Sequence, residues 1–172
     1  DINMDNLRYL DDTMPENVHT IHSNAHILRE LLPKIDLLIG AVLVVGAKAP
    51  KLIDRKLLSL MNKGSVVVDV SVDQGGCIET TKPTTHKDPT FVEEGVTHYC
   101  VANMPGAVPH TSTIALTNVT FNYIKLLANN GLDVFKSNNE LLSGLNTMNG
   151  KITHKAVADS FNLKYTSPNE LF

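Results

Sequence analysis

Asp73 is the residue whose type and position best suit a catalytic or ligand-binding role. It follows a valine-rich stretch, residues 65–72, and precedes the pair Gly75 and Gly76. A continuous apolar run of this kind indicates a strand buried on both faces, as in parallel sheets. Ligands of open parallel sheets bind beyond the carboxyl ends of the strands, where Asp73 is expected. A glycine turn without chemistry explains the same residues, so the local pattern leaves both interpretations open.

Asp1 is a second acidic candidate, at the start of the stretch DINMDNLRYLDD. In dinucleotide-binding folds, an acidic residue between a strand and a helix accepts hydrogen bonds from the adenosine ribose. It also repels a 2′-phosphate, which favours NAD over NADP. A cap on the following helix is the alternative interpretation. The glycine-rich turn that normally precedes such a residue is not part of this sequence.

Two further segments follow predicted strands. The residues from Gly40 to Leu43 are small or aliphatic and would admit a flat ring or a ribose, or would pack closely against a helix. Ser23 is placed to reach an adenine or a ribose, or to cap the helix that follows. The histidines at positions 19, 22 and 26 are not expected to bind a metal, because the first two point to opposite faces of a strand.

Hydrophobic periodicity predicts the elements that position these residues. Strands are predicted at Val18–His22, Asp36–Leu43, Ser65–Val72 and Val96–Asn103. Helices are predicted after Asn3, at Ala25–Leu32, Asp54–Met61, Thr111–Asn129, Ser137–Ser143 and His154–Ser160. Strands that alternate with helices predict an α/β fold whose parallel sheet carries helices on both faces.

Composition excludes several classes of protein. The 172 residues are 42% hydrophobic and 19% charged, with a net charge of −3. These values argue against disorder and against nucleic-acid binding. No apolar run has the length of a membrane span, and the acidic start does not resemble a signal peptide. Cys77 and Cys100 are therefore expected to be reduced thiols of a cytoplasmic protein. The sequence opens on Asp1 without a methionine, which suggests a piece of a longer chain.

Five stretches together carry a resemblance to a known family. They are DINMDNLRYLDD, LLIGAVLVVGAKAPKL, VVVDVSVDQGGCIETTKPTTHKDPTF, HYCVANMPGAVPHTSTIALTN and GLNTMNGKITHKAVA. With them the chain resembles the C-terminal half of alanine dehydrogenases, in the alanine dehydrogenase and pyridine nucleotide transhydrogenase superfamily. The resemblance implies a Rossmann-like doubly wound parallel sheet, truncated to strands 3–6, followed by C-terminal helices. It divides the chain into a partial NAD-binding domain, residues 1–108, and a helical segment, residues 109–172, that packs on a substrate domain.

The resemblance also implies a function. It implies NAD-dependent oxidative deamination of L-alanine to pyruvate and ammonia, and the reverse reaction, with Asp73 as the catalytic carboxylate. Lys82 stands where other members have arginine. The substrate-binding lysine and histidine of the family lie in the half that is not part of this chain. The implied cofactor contacts are Asp1, Asn6, Ser23, Val42, Leu43, Val70, Ser71, Val72, Asp73, Lys82, Val101, Ala102, Asn103 and Met104.

Other implied properties are a cytoplasmic homo-hexamer without nucleic-acid or membrane partners. Two alternatives stay open: an NAD(H)-binding module of a transhydrogenase, and a non-catalytic NAD-binding or inactive fragment. In the doubly wound order 3-2-1-4-5-6, strands 1 and 2 lie between strands 3 and 4. We therefore expect Val18–His22 not to pair with Asp36–Leu43, the isolated chain to be poorly stable, and the apolar faces of the helices after Thr111 to be exposed.

Overall fold

A four-stranded sheet lies at the centre of the chain. The computed structural model describes residues 1–172. The strands are β1 (Leu37–Gly40), β2 (Val66–Asp69), β3 (Thr90–Glu93) and β4 (Val96–Tyr99). Their order is β1-β2-β4-β3; β1, β2 and β4 are parallel, and β3 runs antiparallel to β4. The carboxyl ends of the three parallel strands therefore meet at one edge of the sheet.

The chain also contains six α-helices and a short hairpin. The helices are α1 (Met4–Thr13), α2 (Ala25–Leu31), α3 (Arg55–Leu58), α4 (Pro109–Asn130), α5 (Asn139–Ser143) and α6 (Lys155–Phe161). The hairpin consists of β5 (Thr147–Met148) and β6 (Lys151–Ile152). Side-chain oxygens cap the amino ends of four helices, where backbone N–H groups have no helical partner. These caps are Asn3, Asn24, Asp54 and Asn138. None of the helices combines the length and the apolar composition of a membrane span.

The core covers one face of the sheet. Val67 of β2 and Val96 of β4 are fully buried there, together with Leu58 of α3. Ile78, in the loop after β2, joins the same cluster. On the other face, side chains are half-buried in β2 and β4 and exposed in the edge strand β1. The alternation follows from the period of two along a strand.

One prediction about the sheet was wrong, and one strand was not predicted. Residues 18–22 form no strand, because no neighbouring strand is present to pair with them; as expected, they do not pair with β1, whose only neighbour is β2. Strand β3 was missed, because the segment before it is polar and rich in proline.

The ion pairs of Arg55 with Glu93 (2.7 Å) and Glu94 (2.6 Å) tie α3 to this β3–β4 hairpin.

The long helix predicted at Thr111–Asn129 is present as α4, which begins two residues earlier, ends at Asn130 and has Gly131 as its carboxyl-terminal cap. No residue of α4 is buried. Its exposed large apolar residues are Ile114, Leu116, Val119, Phe121, Ile124 and Leu126. The expected exposure of the apolar faces after Thr111 is therefore confirmed for this helix.

The carboxylate of Asp69, the last residue of β2, is fully buried at 0% exposure. It accepts hydrogen bonds from the Ser71 N–H (3.1 Å), the Cys77 N–H (3.0 Å) and the Thr81 hydroxyl (2.6 Å), with a longer contact to the Ile78 N–H (3.4 Å). All of these donors belong to the loop that follows β2. A buried carboxylate requires such donors, so Asp69 fixes the path of that loop.

We predict that Asp69→Asn destabilises the chain by about 2–4 kcal/mol, because an amide NH₂ would face backbone N–H donors that the carboxylate now satisfies. Urea denaturation of the chain, or of a full-length protein that carries it, measures the change. The exposed Asp73→Asn is the matched control and should alter the free energy of unfolding by less than about 0.5 kcal/mol. Equal unfolding midpoints for the two variants would contradict the prediction.

Both cysteines are free thiols, as expected, and the structure buries both of them. Burial raises the pKa of Cys77, and the neighbouring Asp69 charge raises it further. Burial also raises the pKa of Cys100.

We therefore predict that neither thiol reacts with a disulfide reagent at neutral pH in the native state, and that both react at once in denaturant, because the thiolate is the reactive form. Spectrophotometric titration with and without urea checks this. A native thiol that reacts at the denatured rate would show that the interior around Asp69 is open to solvent.

Candidate functional site

The segments after β1, β2 and β4 form the candidate site at the carboxyl edge of the sheet. Hydrogen bonds join the first two directly. The Val70 N–H donates to the Gly40 carbonyl (2.8 Å), and the Val42 N–H donates to the Ser71 hydroxyl oxygen (3.0 Å). Leu43, at 67% exposure, stands open to solvent beside this junction. The structure therefore brings together the residues predicted after these two strands.

Asp73 lies in the short 3₁₀ turn Val72–Gln74 and is exposed to solvent. Gly75 and Gly76 follow with φ angles of +94° and +71°. A Cβ at Gly76 would approach the Asp69 Oδ2 atom to 2.6 Å. The glycine pair therefore lets the chain turn back tightly over the buried carboxylate. As a result, Asp73 stands at the outer side of the turn and Asp69 lies beneath it.

Residues 49–53 run beside this turn. The Ala49 N–H donates to the Gln74 carbonyl (3.0 Å), and the Leu52 N–H donates to the Cys77 carbonyl (2.8 Å). The Lys51 ammonium adds two bonds, to the Gly75 carbonyl (2.6 Å) and the Ile78 carbonyl (3.0 Å). Residues 49–53 thus hold residues 74–78, which are the returning half of the loop that carries Asp73.

The segment after β4 is held by residues 84–86. Val101 is buried at the strand end. The Ala102 N–H donates to the Thr84 carbonyl (3.3 Å), and the His86 Nε2 atom lies 2.6 Å from the Asn103 carbonyl. Because a carbonyl only accepts, Nε2 must carry the proton in this contact. Met104 begins the next 3₁₀ turn, Met104–Ala107, which the Asn103 side chain caps.

Lys82 lies on the hairpin side of the sheet. Its ammonium stands 4.7 Å from the centroid of the Phe91 ring, and Phe91 stacks on the buried His98 at 4.8 Å. Both ring nitrogens of His98 have partners, the Thr80 hydroxyl and the Val96 carbonyl. His98 is therefore a satisfied interior histidine, and Lys82 has a cation–π contact rather than an acidic partner.

Asp1, Asn6 and Ser23 form a separate group. The Asp1 carboxylate accepts from the Ile2 N–H (2.6 Å), the Asn3 N–H (2.9 Å) and, at 3.3 Å, the Asn6 amide. The Ser23 N–H donates to the Asp1 carbonyl (2.8 Å). No hydrogen bond joins this group to the strand ends. The predicted contacts thus fall into two clusters, one at α1 and one at the sheet edge, and Lys82 lies apart from both, beside Phe91 of β3.

Sequence reasoning missed the residues that hold the site. The sequence did contain an indication for Asp69, because a charged residue within a buried valine run requires hydrogen-bond donors nearby. Lys51 and His86 gave none, since their partners lie far away along the chain. The chain holds no group of three or more His, Cys, Asp or Glu side chains that could bind a metal ion.

Comparison with known proteins places this geometry in a family. The family profile "Alanine dehydrogenase/PNT, C-terminal domain" matches residues 1–155. The chain is 53% identical to alanine dehydrogenase of Staphylococcus haemolyticus over 97% of its length, and 51% identical to alanine dehydrogenase 2 of Staphylococcus aureus over 99%. It spans 45% and 46% of these relatives, respectively, which is less than half of each protein.

Solved structures agree on the fold. A structure of L-alanine dehydrogenase superposes with a TM-score of 0.80 at 46% identity; the match covers 94% of this chain and 45% of that one. A transhydrogenase from Sinorhizobium meliloti superposes with a TM-score of 0.57 at 23% identity; this match covers 78% of this chain and 36% of that one, and it shows the shared fold alone. The residues matched by the family profile, 1–155, include both clusters of candidate residues. The chain therefore belongs to the alanine dehydrogenase/PNT C-terminal domain family.

Proposed function

We propose that this chain supplies the NAD-binding half of an alanine dehydrogenase, which converts L-alanine to pyruvate and ammonia with NAD as the hydride acceptor. The observation that carries the proposal is the identity of 53% with an alanine dehydrogenase along 97% of the chain. The exposed Asp73 at the carboxyl edge of a parallel sheet adds a physical reason, because such edges bind ligands. The division into residues 1–108 and 109–172 is part of this proposal.

The residues at the two clusters fit NAD. Leu43 and Val70 expose apolar side chains at the strand ends, which suit the faces of a flat ring. The Asp1 carboxylate is exposed, and its Oδ2 atom accepts only one long hydrogen bond, from the Asn6 amide at 3.3 Å. It can therefore still accept a ribose hydroxyl. When bound, NAD would take the hydride that leaves the substrate Cα.

Asp73 would act through its charge. Loss of hydride leaves positive charge at the substrate carbon and nitrogen, and water must then add to that carbon. A carboxylate nearby stabilises the developing cation and can hold the substrate ammonium or orient the water. The short turn around Asp73 would keep its carboxylate in place during these steps.

We predict that Asp73→Asn, in a full-length alanine dehydrogenase that carries this chain as its C-terminal half, lowers kcat by about 10²–10⁴-fold. NAD affinity should stay nearly unchanged, since the amide has the same shape. Steady-state kinetics and NAD titration measure the two quantities. Asp88→Asn, an exposed aspartate in a turn, is the control. An unchanged kcat for Asp73→Asn would remove Asp73 from the mechanism.

We predict that Asp1→Ser in the same enzyme reduces the preference for NAD over NADP by more than about tenfold, because the carboxylate that repels a 2′-phosphate is lost. The ratio of kcat/KM for the two cofactors measures the preference. Asp5→Ser is the matched control, because Asp5 is equally exposed on α1 and pairs only with Arg8 (3.1 Å). If both variants keep the original preference, Asp1 does not meet the ribose.

Two measurements separate the proposal from its alternatives. Alanine-dependent NADH formation by the full-length enzyme distinguishes a dehydrogenase from a transhydrogenase module. NAD titration of the 172-residue chain distinguishes a binding module from an inert fragment. The proposal also includes a cytoplasmic location and assembly as a homo-hexamer. Sedimentation analysis of the full-length protein would test the assembly.

A further inference from the structure

Lys51 is an exposed lysine with an unusual pair of partners. Its ammonium donates to the Gly75 carbonyl at 2.6 Å and to the Ile78 carbonyl at 3.0 Å. Both carbonyls belong to the returning half of the loop that carries Asp73. An ammonium on a flexible stem normally stays in water, so two short bonds to backbone carbonyls restrain both the side chain and the loop.

The buried Asp69 carboxylate restrains the same loop as Lys51, but as an anion that accepts hydrogen bonds from the N–H groups of the loop. It accepts from the Cys77 N–H, and at 3.4 Å from the Ile78 N–H. The peptide groups of Ile78 are thus held by an anion at the N–H and by a cation at the carbonyl. Charge-assisted hydrogen bonds of this kind are stronger than neutral ones.

The loop needs such restraint because of its glycines. Gly75 and Gly76 adopt positive φ angles and have no Cβ to limit other conformations. Asp73 lies two residues before Gly75. Any shift of the glycine pair would therefore move the carboxylate of Asp73. The Gly76 N–H, which shares a peptide plane with the Gly75 carbonyl, donates to the Ser71 carbonyl at 2.9 Å. Lys51 adds the bond on the carbonyl side of that peptide, so without Lys51 the peptide would be held from one side only.

We infer that Lys51 is a positioning residue, which fixes the carboxylate of Asp73 for the reaction by holding the Gly75 and Ile78 carbonyls. The inference rests on the proposed function. It assigns to Lys51 no contact with substrate or cofactor. A displacement of about 1 Å at a reacting group can lower a rate about a hundredfold, so the loss of Lys51 should be visible in kcat.

The test uses the full-length enzyme with Lys51→Met, which keeps most of the stem and removes the charge. The expected kcat is about 10–100-fold lower. KM for NAD should stay within about twofold, and Tm should shift by less than about 3 °C. Lys51→Arg should recover most of kcat, because it restores a cation with several donors. Lys56→Met, an exposed lysine on α3, is the matched control and should leave kcat unchanged.

A double variant shows whether Lys51 acts through Asp73. If it does, Lys51→Met should lower kcat by less than about twofold in an Asp73→Asn background, since dependent effects are not additive. A multiplicative loss in the double variant overturns the inference. So does a kcat for Lys51→Met equal to that of the wild type, or a global loss of folding in both Lys51→Met and Lys51→Gln.

The two proposals fail separately. A full-length wild-type enzyme without alanine-dependent NADH formation refutes the proposed function, and this inference fails with it. An active wild type together with an equally active Lys51→Met refutes the role of Lys51 alone.

Discussion

The burial of the Asp69 carboxylate is the constraint on which the candidate site depends. A carboxylate at 0% exposure is costly unless donors surround it. The Ser71 and Cys77 N–H groups and the Thr81 hydroxyl supply those donors. Because all of them follow Asp69 in sequence, the chain must curl back around its own strand end. The glycine at position 76 is required by this curl, since a Cβ there would collide with the carboxylate.

The apolar surface of the chain is distributed unevenly. The core closes one face of the sheet, while Leu37 and Ile39 of the edge strand β1 are exposed. The helix α4 buries none of its residues. Where such exposed residues form one large contiguous patch, they mark an interaction site. The chain spans 45% of the alanine dehydrogenase of Staphylococcus haemolyticus, so a longer protein of this family contains further elements that can pack on exposed apolar residues.

Local pattern was enough to predict most of the elements, and the reason is physical. Capping residues, the valine run and the glycine after α4 act within a few positions of the sequence, so they can be read there. Residues 18–22 have the composition of a strand, but a strand exists only when another pairs with it. Strand β3 lies after a polar segment, and its pairing with β4 decides its conformation more than its composition does. The same distinction separates Asp73, which the strand end predicts, from Lys51 and His86, whose partners lie 24 and 17 residues away along the chain.

Asp69 and Asp73 show why residue type alone could not assign the chemistry. They are four residues apart and chemically identical, but their surroundings differ. The lone pairs of Asp69 are occupied by donors of the loop, so this carboxylate has a structural role and little capacity to bind anything else. Asp73 is exposed on the turn that Asp69 shapes, so its lone pairs remain available to a ligand. The two carboxylates can thus have different roles because their environments differ. Asp69 shapes the turn, and Asp73 is exposed on its surface. The role proposed for Lys51 depends on the same division of roles, because this lysine would act on the exposed carboxylate only through the loop. The position of the exposed carboxylate depends on every group that holds the loop beneath it.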